Sequence, residues 1–157
     1  MKKILLGSGL LTLIALATGC LKNDEVKPCV VRTLEQDRSV ITKFASDSSI
    51  TVTEDPTGLF YQIIEPGTGA PPAARDTVVA KYVGRLLDGR KFDESASAKF
   101  PLNGVIEGWT IGIPKVGKGG KIKLLIPAKL AYACMYHPLQ NQPLYFYVEV
   151  LDVVAAK

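Results

Sequence analysis

The dipeptide Asp88-Gly89 constrains this chain more than any other pair of residues. Asp-Gly is the strongest short signal for a tight β-hairpin, because the turn needs φ > 0 and glycine takes that conformation without steric cost. On its N-terminal side, Asp76 to Leu87 alternates in part, with Val78, Ala80 and Tyr82 on one face. On its C-terminal side, Lys91-Phe92-Asp93 starts the return strand. Two antiparallel strands are thereby fixed in the middle of the chain, and the flanking segments must extend or cover them.

The flanks carry the same pattern of short strands and turns. Leu59 to Ile64 reads as a strand, ended by Pro66-Gly67-Thr68-Gly69, with a Pro-rich loop over Ala70 to Ala74. Lys121 to Pro127 alternates, with Ile122, Leu124 and Ile126 on one face. Leu144 to Val153 is a strand rich in aromatic and β-branched residues. Val105 to Ile113 is the one short apolar helix among these strands. Mostly antiparallel strands with one short helix predict an α+β domain. Upstream, Thr33 to Ser46 predicts an extra helix. Thr33-x-x-Gln36 fits a capping box, and Leu34, Asp37/Arg38, Ile41 and Phe44/Ala45 form one stripe that docks on the main domain.

The N-terminus bears on the compartment. Lys2 and Lys3 precede an apolar run, Ile4 to Ala17, that is about 14 residues long, short for a bilayer span and suited to a signal sequence. It ends in Leu16-Ala17-Thr18-Gly19-Cys20, which resembles the bacterial lipobox. That resemblance implies cleavage before Cys20 and acylation of its thiol and amine with palmitate-type chains, giving stable anchoring because more than one chain inserts. An ordinary secretory signal with an incidental cysteine is the alternative. The expected organisation is a leader over 1–19, a lipidated tether and helix over 20–55, and the main domain over 56–157. The expected location is the cell envelope, on the periplasmic face of the outer membrane. Leu21 to Glu25 also resembles the signal that sends some lipoproteins to the cell surface, although a solvated linker is the simpler and favoured reading.

Loss of Lys2 and Lys3 takes the 19 basic residues to 17 against 15 acidic, a balance that argues against a dedicated nucleic-acid surface. Of the three cysteines, Cys29 and Cys134 remain once Cys20 is acylated. An even pair in an exported chain is a disulfide candidate, with two free thiols as the alternative.

Three other motifs are weak. Gly112 to Lys118 matches most of a phosphate-binding loop, but Gly119 stands where a Ser or Thr should hold magnesium and no helix follows. Cys134-x-x-His137 offers a thiol and the chain's single imidazole, yet no third orienting group and too few ligands for zinc. No metal or other cofactor is expected. Asp93 and Glu94 are neighbours on a strand and point to opposite faces, so they do not form an acid–base pair.

Aromatic residues recur on separate elements, and their contexts carry a family pattern. Tyr82-x-Gly84-x-Leu86-x-Asp88-Gly89-x-x-Phe92-Asp93-x-Ser95 resembles the FKBP-type peptidyl-prolyl isomerases. So do Phe100-Pro101-Leu102-x-x-Val105-Ile106-x-Gly108-Trp109-x-x-Gly112 and Val116-Gly117 leading into Lys123-Leu124-x-Ile126-Pro127-x-x-Leu130-Ala131-Tyr132. The ending Leu144-x-Phe146-x-Val148-Glu149-Val150-Leu151 resembles them too. The resemblance implies a twisted antiparallel sheet of five or six strands wrapped on one short helix, with a pocket between. It implies Trp109 as the floor, Tyr82, Phe92, Val105, Ile106, Tyr132 and Phe146 as walls, and Asp93 at the rim bonded to Tyr82, with Phe100 nearby. His137 lies at the rim, and Leu139 stands as an apolar wall where the loop departs from the family's usual Ile-Pro run.

The implied activity is peptidyl-prolyl cis-trans isomerisation on proline-containing segments of unfolded or exported proteins, by a monomer. An apolar pocket suits that reaction. The rotation barrier of about 18–20 kcal/mol comes from amide resonance, and twisting removes charge separation. No nucleophile or proton transfer is needed. The resemblance also implies that the Ile106 N–H and the Tyr132 hydroxyl bond the peptide on either side of proline. The alternative is a proline-peptide binding or holdase module with little turnover.

Overall fold

The computed structural model describes residues 28–156. The leader, Cys20 and the tether through Val26 lie outside them. Helix α1 (Leu34–Asp47) is followed by β1 (Thr53–Glu54), β2 (Phe60–Glu65), β3 (Thr77–Leu86), β4 (Lys91–Pro101), α2 (Glu107–Gly112), β5 (Lys121–Ile126) and β6 (Leu144–Val154). Short 3-10 turns cover Leu102–Gly104, Ile113–Lys115 and Ala128–Leu130. The six strands form one antiparallel sheet in the order β1-β2-β5-β6-β3-β4.

The Asp88-Gly89 turn lies between β3 and β4, with Gly89 at φ 90°, and β3 then pairs on its other edge with β6. The alternating residues of β3 and β5 fall as the sequence predicts. Val78, Ala80, Tyr82, Ile122, Leu124 and Ile126 are all buried in the larger of two cores. Strand β4 runs on to Pro101, and both irregularities in its pairing with β3 place an extra residue in β4. Such bulges twist and redirect a strand, a property that matters at the site.

Helix α2 lies across the inner face. The predicted helix over Val105 to Ile113 is shorter than expected, because Val105 and Ile106 are extended and the helix gives way to a 3-10 turn containing Pro114. Gly108 and Gly112, one helical turn apart, press directly on β5. A Cβ at Gly108 would stand 2.4 Å from Ile126 Cγ2, and one at Gly112 would stand 2.5 Å from a Leu124 methyl. Neither partner can retreat, since both are fully buried. Gly108→Val should therefore destabilise the domain by about 2–3 kcal/mol through overpacking, read as a lowered urea midpoint at unchanged slope. A midpoint equal to that of the parent protein would show that α2 can lift off β5 freely.

The outer face of the sheet is covered by α1. Its N-terminus is the capping box expected from the sequence: Gln36 N–H donates to Thr33 Oγ1 (3.2 Å) and Thr33 N–H donates to Gln36 Oε1 (2.9 Å). Ile41 and Ala45 of α1 bury against Phe60 and Leu125, with Phe44 and Tyr145 at the edge of this second core. Phe60, Leu125 and Tyr145 are register partners across β2, β5 and β6, so they form one outward row for the helix to cover. Asp37 belongs to the same helical stripe and is fully buried, but it is a polar anchor. It accepts Arg32 Nε–H (2.5 Å) and the backbone N–H of Ala128 (2.8 Å). A buried carboxylate with a guanidinium and an amide donor meets the pairing that burial demands.

Candidate active site

The site is built where β3, β4 and β6 face α2. Tyr82 of β3, Val148 of β6 and Ile122 of β5 share one inward row, and Phe146 and Gly84 share the next. Gly84 is required to be small. A Cβ there would lie 2.8 Å from both the Phe146 and Phe92 rings. In regular β4 geometry Phe92 and Asp93 would point to opposite faces. Gly84 pairs with Asp93 and Arg85 with Lys91, so Phe92 is the bulged residue and both side chains reach the site.

Trp109, at the first turn of α2, is the floor. The rings of Tyr82, Phe100 and Phe146 stand nearly perpendicular to it at centroid distances of 5.2, 5.4 and 5.3 Å. Edge-to-face packing of this kind is favourable between aromatic rings. Its indole N–H is buried and has no hydrogen-bond acceptor, as fits a side chain enclosed by ring faces and edges. Phe92 packs edge-on against Phe146 at 5.4 Å. The Tyr82 hydroxyl donates to Asp93 Oδ2 (2.7 Å), which fixes the tyrosine ring and leaves the carboxylate at the rim.

Two adjoining cavities result. The larger, of about 690 Å³, is lined by Tyr82, Asp93, Phe100, Val105, Ile106, Trp109, Tyr132 and Phe146, together with Gly104, Glu107, Lys129, Ala131, Ala133 and Met135. The smaller, of about 310 Å³, is lined by Phe92, Asp93, Tyr132, His137, Pro138 and Leu139. Asp93 and Tyr132 belong to both and form the ridge between them. Phe92, His137 and Leu139 thus lie beside the main cleft and not in it. Met135, Glu107 and Lys129 line the main cleft without having been expected from the sequence. An apolar Met in the same loop as Tyr132, three residues on, was the available signal for the first, whereas the two charges had none.

The loop after β5 presents Tyr132. The imidazole of His137 stacks on its ring at 3.6 Å and 7°, and Leu139 N–H donates to His137 Nδ1 (3.1 Å). Cys134 is bonded to Cys29, Sγ to Sγ at 2.06 Å, across 105 positions of sequence. The Cys134-His137 pair therefore holds no thiolate, and each side chain has a structural partner. Among the described residues no group of three or more His, Cys, Asp or Glu side chains is placed to hold a metal ion.

Burial raises the pKa of the Tyr82 hydroxyl well above the usual tyrosine range, and its bond to Asp93 adds to the effect. Tyr132 is also raised, first by burial and then by the Asp93 charge. Both phenols are held as neutral donors. What the cleft offers chemically is a deep apolar cup, one hydroxyl at its rim, and no activated nucleophile.

An antiparallel sheet folded around a glycine-faced helix, with a tryptophan floor ringed by aromatic side chains, defines a recognisable class of protein. The chain belongs to the FKBP-type peptidyl-prolyl cis-trans isomerase family, whose pattern matches residues 69–151. It is 46% identical over 120 residues to the FKBP-type peptidyl-prolyl cis-trans isomerase FkpA of Escherichia coli strain K12, covering 73% of this chain and 44% of that relative. The crystal structure of FkpA from Escherichia coli superposes with a TM-score of 0.70 at 43% identity, covering 78% of this chain and 60% of that one. The outer membrane protein MIP of Legionella longbeachae is 37% identical over 108 residues, covering 64% of this chain and 46% of that relative. The chain thus spans less than half the length of these two relatives.

Proposed function

We propose that this chain catalyses peptidyl-prolyl cis-trans isomerisation on proline-containing segments of exported proteins during their folding. The observation that carries the reading is the Trp109 floor with Tyr82, Phe100 and Phe146 edge-on around it. Planar X–Pro amides are polar by resonance, and the twisted transition state is less so. An apolar aromatic cup therefore binds the twisted state better than the planar one, which is the differential binding that lowers a barrier. Ile106 and Tyr132 both line the cleft, and in this reading the Ile106 N–H and the Tyr132 hydroxyl donate to peptide carbonyls on either side of the proline. Asp93 acts by holding Tyr82, and no covalent or acid–base step enters. The uncatalysed exchange takes tens to hundreds of seconds, slow enough to limit folding.

A protease-coupled assay of a short X–Pro peptide tests this. Added protein should accelerate the slow phase in proportion to its concentration. Because both tyrosines are held protonated, kcat/KM should stay flat from about pH 7 to about pH 9. Binding of unfolded chains with no acceleration over background would sink the reading in favour of a holding module. The exposed Met135 on the cleft wall, followed in sequence by the exposed Tyr136, is the feature that favours that second role.

The same proposal places the domain in the cell envelope, tethered through acylated Cys20 after removal of residues 1–19. The lipobox-like sequence supports this, and one relative is named as an outer membrane protein. No helix among the described residues is long and apolar enough to cross a membrane. Fatty-acid label should enter the full-length chain and be lost in Cys20→Ser. Equal labelling of the two would remove the anchor.

A further inference from the structure

The segment from Ala131 to Gln142 carries Tyr132, Met135, His137 and Leu139 to the cavities, yet it forms no strand or regular α-helix. Its neck holds two non-glycine residues with left-handed backbone, Ala133 (φ 43°) and Asn141 (φ 55°), joined by a bond from Asn141 N–H to Ala133 C=O (2.6 Å). An alanine in that conformation is unfavourable by itself, so something outside the loop must hold it.

That support comes from the arm preceding α1. The side-chain amide of Asn141 accepts Arg32 N–H (2.8 Å) and donates to Val30 C=O (2.9 Å). It thus offers the arm an acceptor and a donor, as the edge of a neighbouring strand would. The arm is held at two further points, by the Cys29–Cys134 bond and by Asp37, which takes both Arg32 Nε–H and the Ala128 N–H. These three attachments, at Ala128, Cys134 and Asn141, bracket Tyr132 on both sides.

We infer that Asn141 is a positioning residue for the isomerase reaction: through its two bonds to the arm it keeps the loop in the arrangement that presents Tyr132 to the cleft. The inference rests on the function proposed above. A loop released from the arm samples other arrangements, and the apparent affinity for substrate falls with the fraction that remains competent. Once the substrate is bound the site is unchanged. The signature is a raised KM at constant kcat, whereas a mere loss of folded protein lowers kcat and leaves KM alone.

The test uses the full oxidised chain. Asn141→Gly keeps the left-handed backbone comfortable and removes both arm bonds. Asn141→Asp keeps the acceptor for Arg32 N–H and loses the donor to Val30. KM should rise about tenfold in both variants, because the aspartate sets a carboxylate oxygen against the Val30 carbonyl where the amide donated, with kcat within about twofold of the parent. Amide exchange at Met135 and Gln140, both bonded inside the loop, should quicken by about tenfold, with Leu124 and Val148 of the sheet unchanged. Unchanged KM with lowered kcat, or unchanged exchange in the loop, overturns the inference. If the parent protein does not accelerate isomerisation, the proposed function fails, and loop exchange still decides whether Asn141 fastens the loop.

Discussion

Phe92→Ala should lower kcat/KM for prolyl isomerisation by about 30- to 100-fold while the domain stays folded. The ring walls the smaller cavity and meets Phe146 edge-on, so its loss opens the cup to water on the side next to Tyr132. An aromatic wall that closes over bound substrate contributes about 2–3 kcal/mol of apolar contact, and each 1.4 kcal/mol lost only in the transition state is about a factor of ten in rate. Stability should fall much less than for a central core residue, because Phe92 is only partly buried and sits on a bulge of the edge strand β4. Tyr82→Phe provides the contrast. It removes one hydroxyl bond to Asp93 and leaves the ring in place against Trp109, so its effect should be smaller. Near-UV circular dichroism would report the retained aromatic packing. Activity within about threefold of the parent for Phe92→Ala would show that the smaller cavity does not take part.

The largest effect on stability should come from breaking the Cys29–Cys134 bond. Its closed loop spans 105 positions, which in the chain-entropy account corresponds to about 4–5 kcal/mol. For a domain of this size that is a fall in Tm of roughly 15 °C on adding reductant or in a Cys29→Ser, Cys134→Ser variant. Because the bond constrains the unfolded chain, the urea slope should also steepen when it is broken, as more surface becomes exposed on unfolding. Thiol titration of denatured, unreduced protein should count none from this pair. Two free thiols from it, or a Tm indifferent to reductant, would end the assignment.

Much of the architecture could be read from local signals. The Thr33–Gln36 capping box, the Asp88-Gly89 turn and the alternation of Val78, Ala80 and Tyr82 are each decided within a few residues, so the sequence carries them openly. The two faces of β5 were half legible. Ile122, Leu124 and Ile126 follow period two, but Leu125 is buried as well because α1 covers the outer face, and that contact is long-range. The sequence points to an earlier start for α2 because Val105 and Ile106 continue its apolar run, whereas the chain keeps them extended.

The site residues came from a family resemblance, and their arrangement depends on features that local periodicity hides. Phe92 and Asp93 are sequence neighbours that reach the same side through a bulge. Asp37 looks like one polar residue in an apolar stripe until Arg32 and Ala128 are found around it. Asn141 gives no sign in sequence of its partners 109 and 111 positions away. Pairings that bridge most of the chain leave no periodic trace, and only three dimensions reveal them.

The strand order has a temporal consequence. Strands β1, β2 and β5 form one half of the sheet and β3 with β4 the other, and β6 lies between them. The element that joins the halves therefore follows every other strand in the chain. Until Leu144–Val154 is available, β5 and β3 face each other across a gap with unpaired edges, and the aromatic cup lacks Phe146. A topology of this kind cannot commit to its fold as it emerges from the ribosome, and it stays open until synthesis has passed the central strand. Under the export proposed above, that delay would keep the chain translocatable, and folding would become an event of the far side.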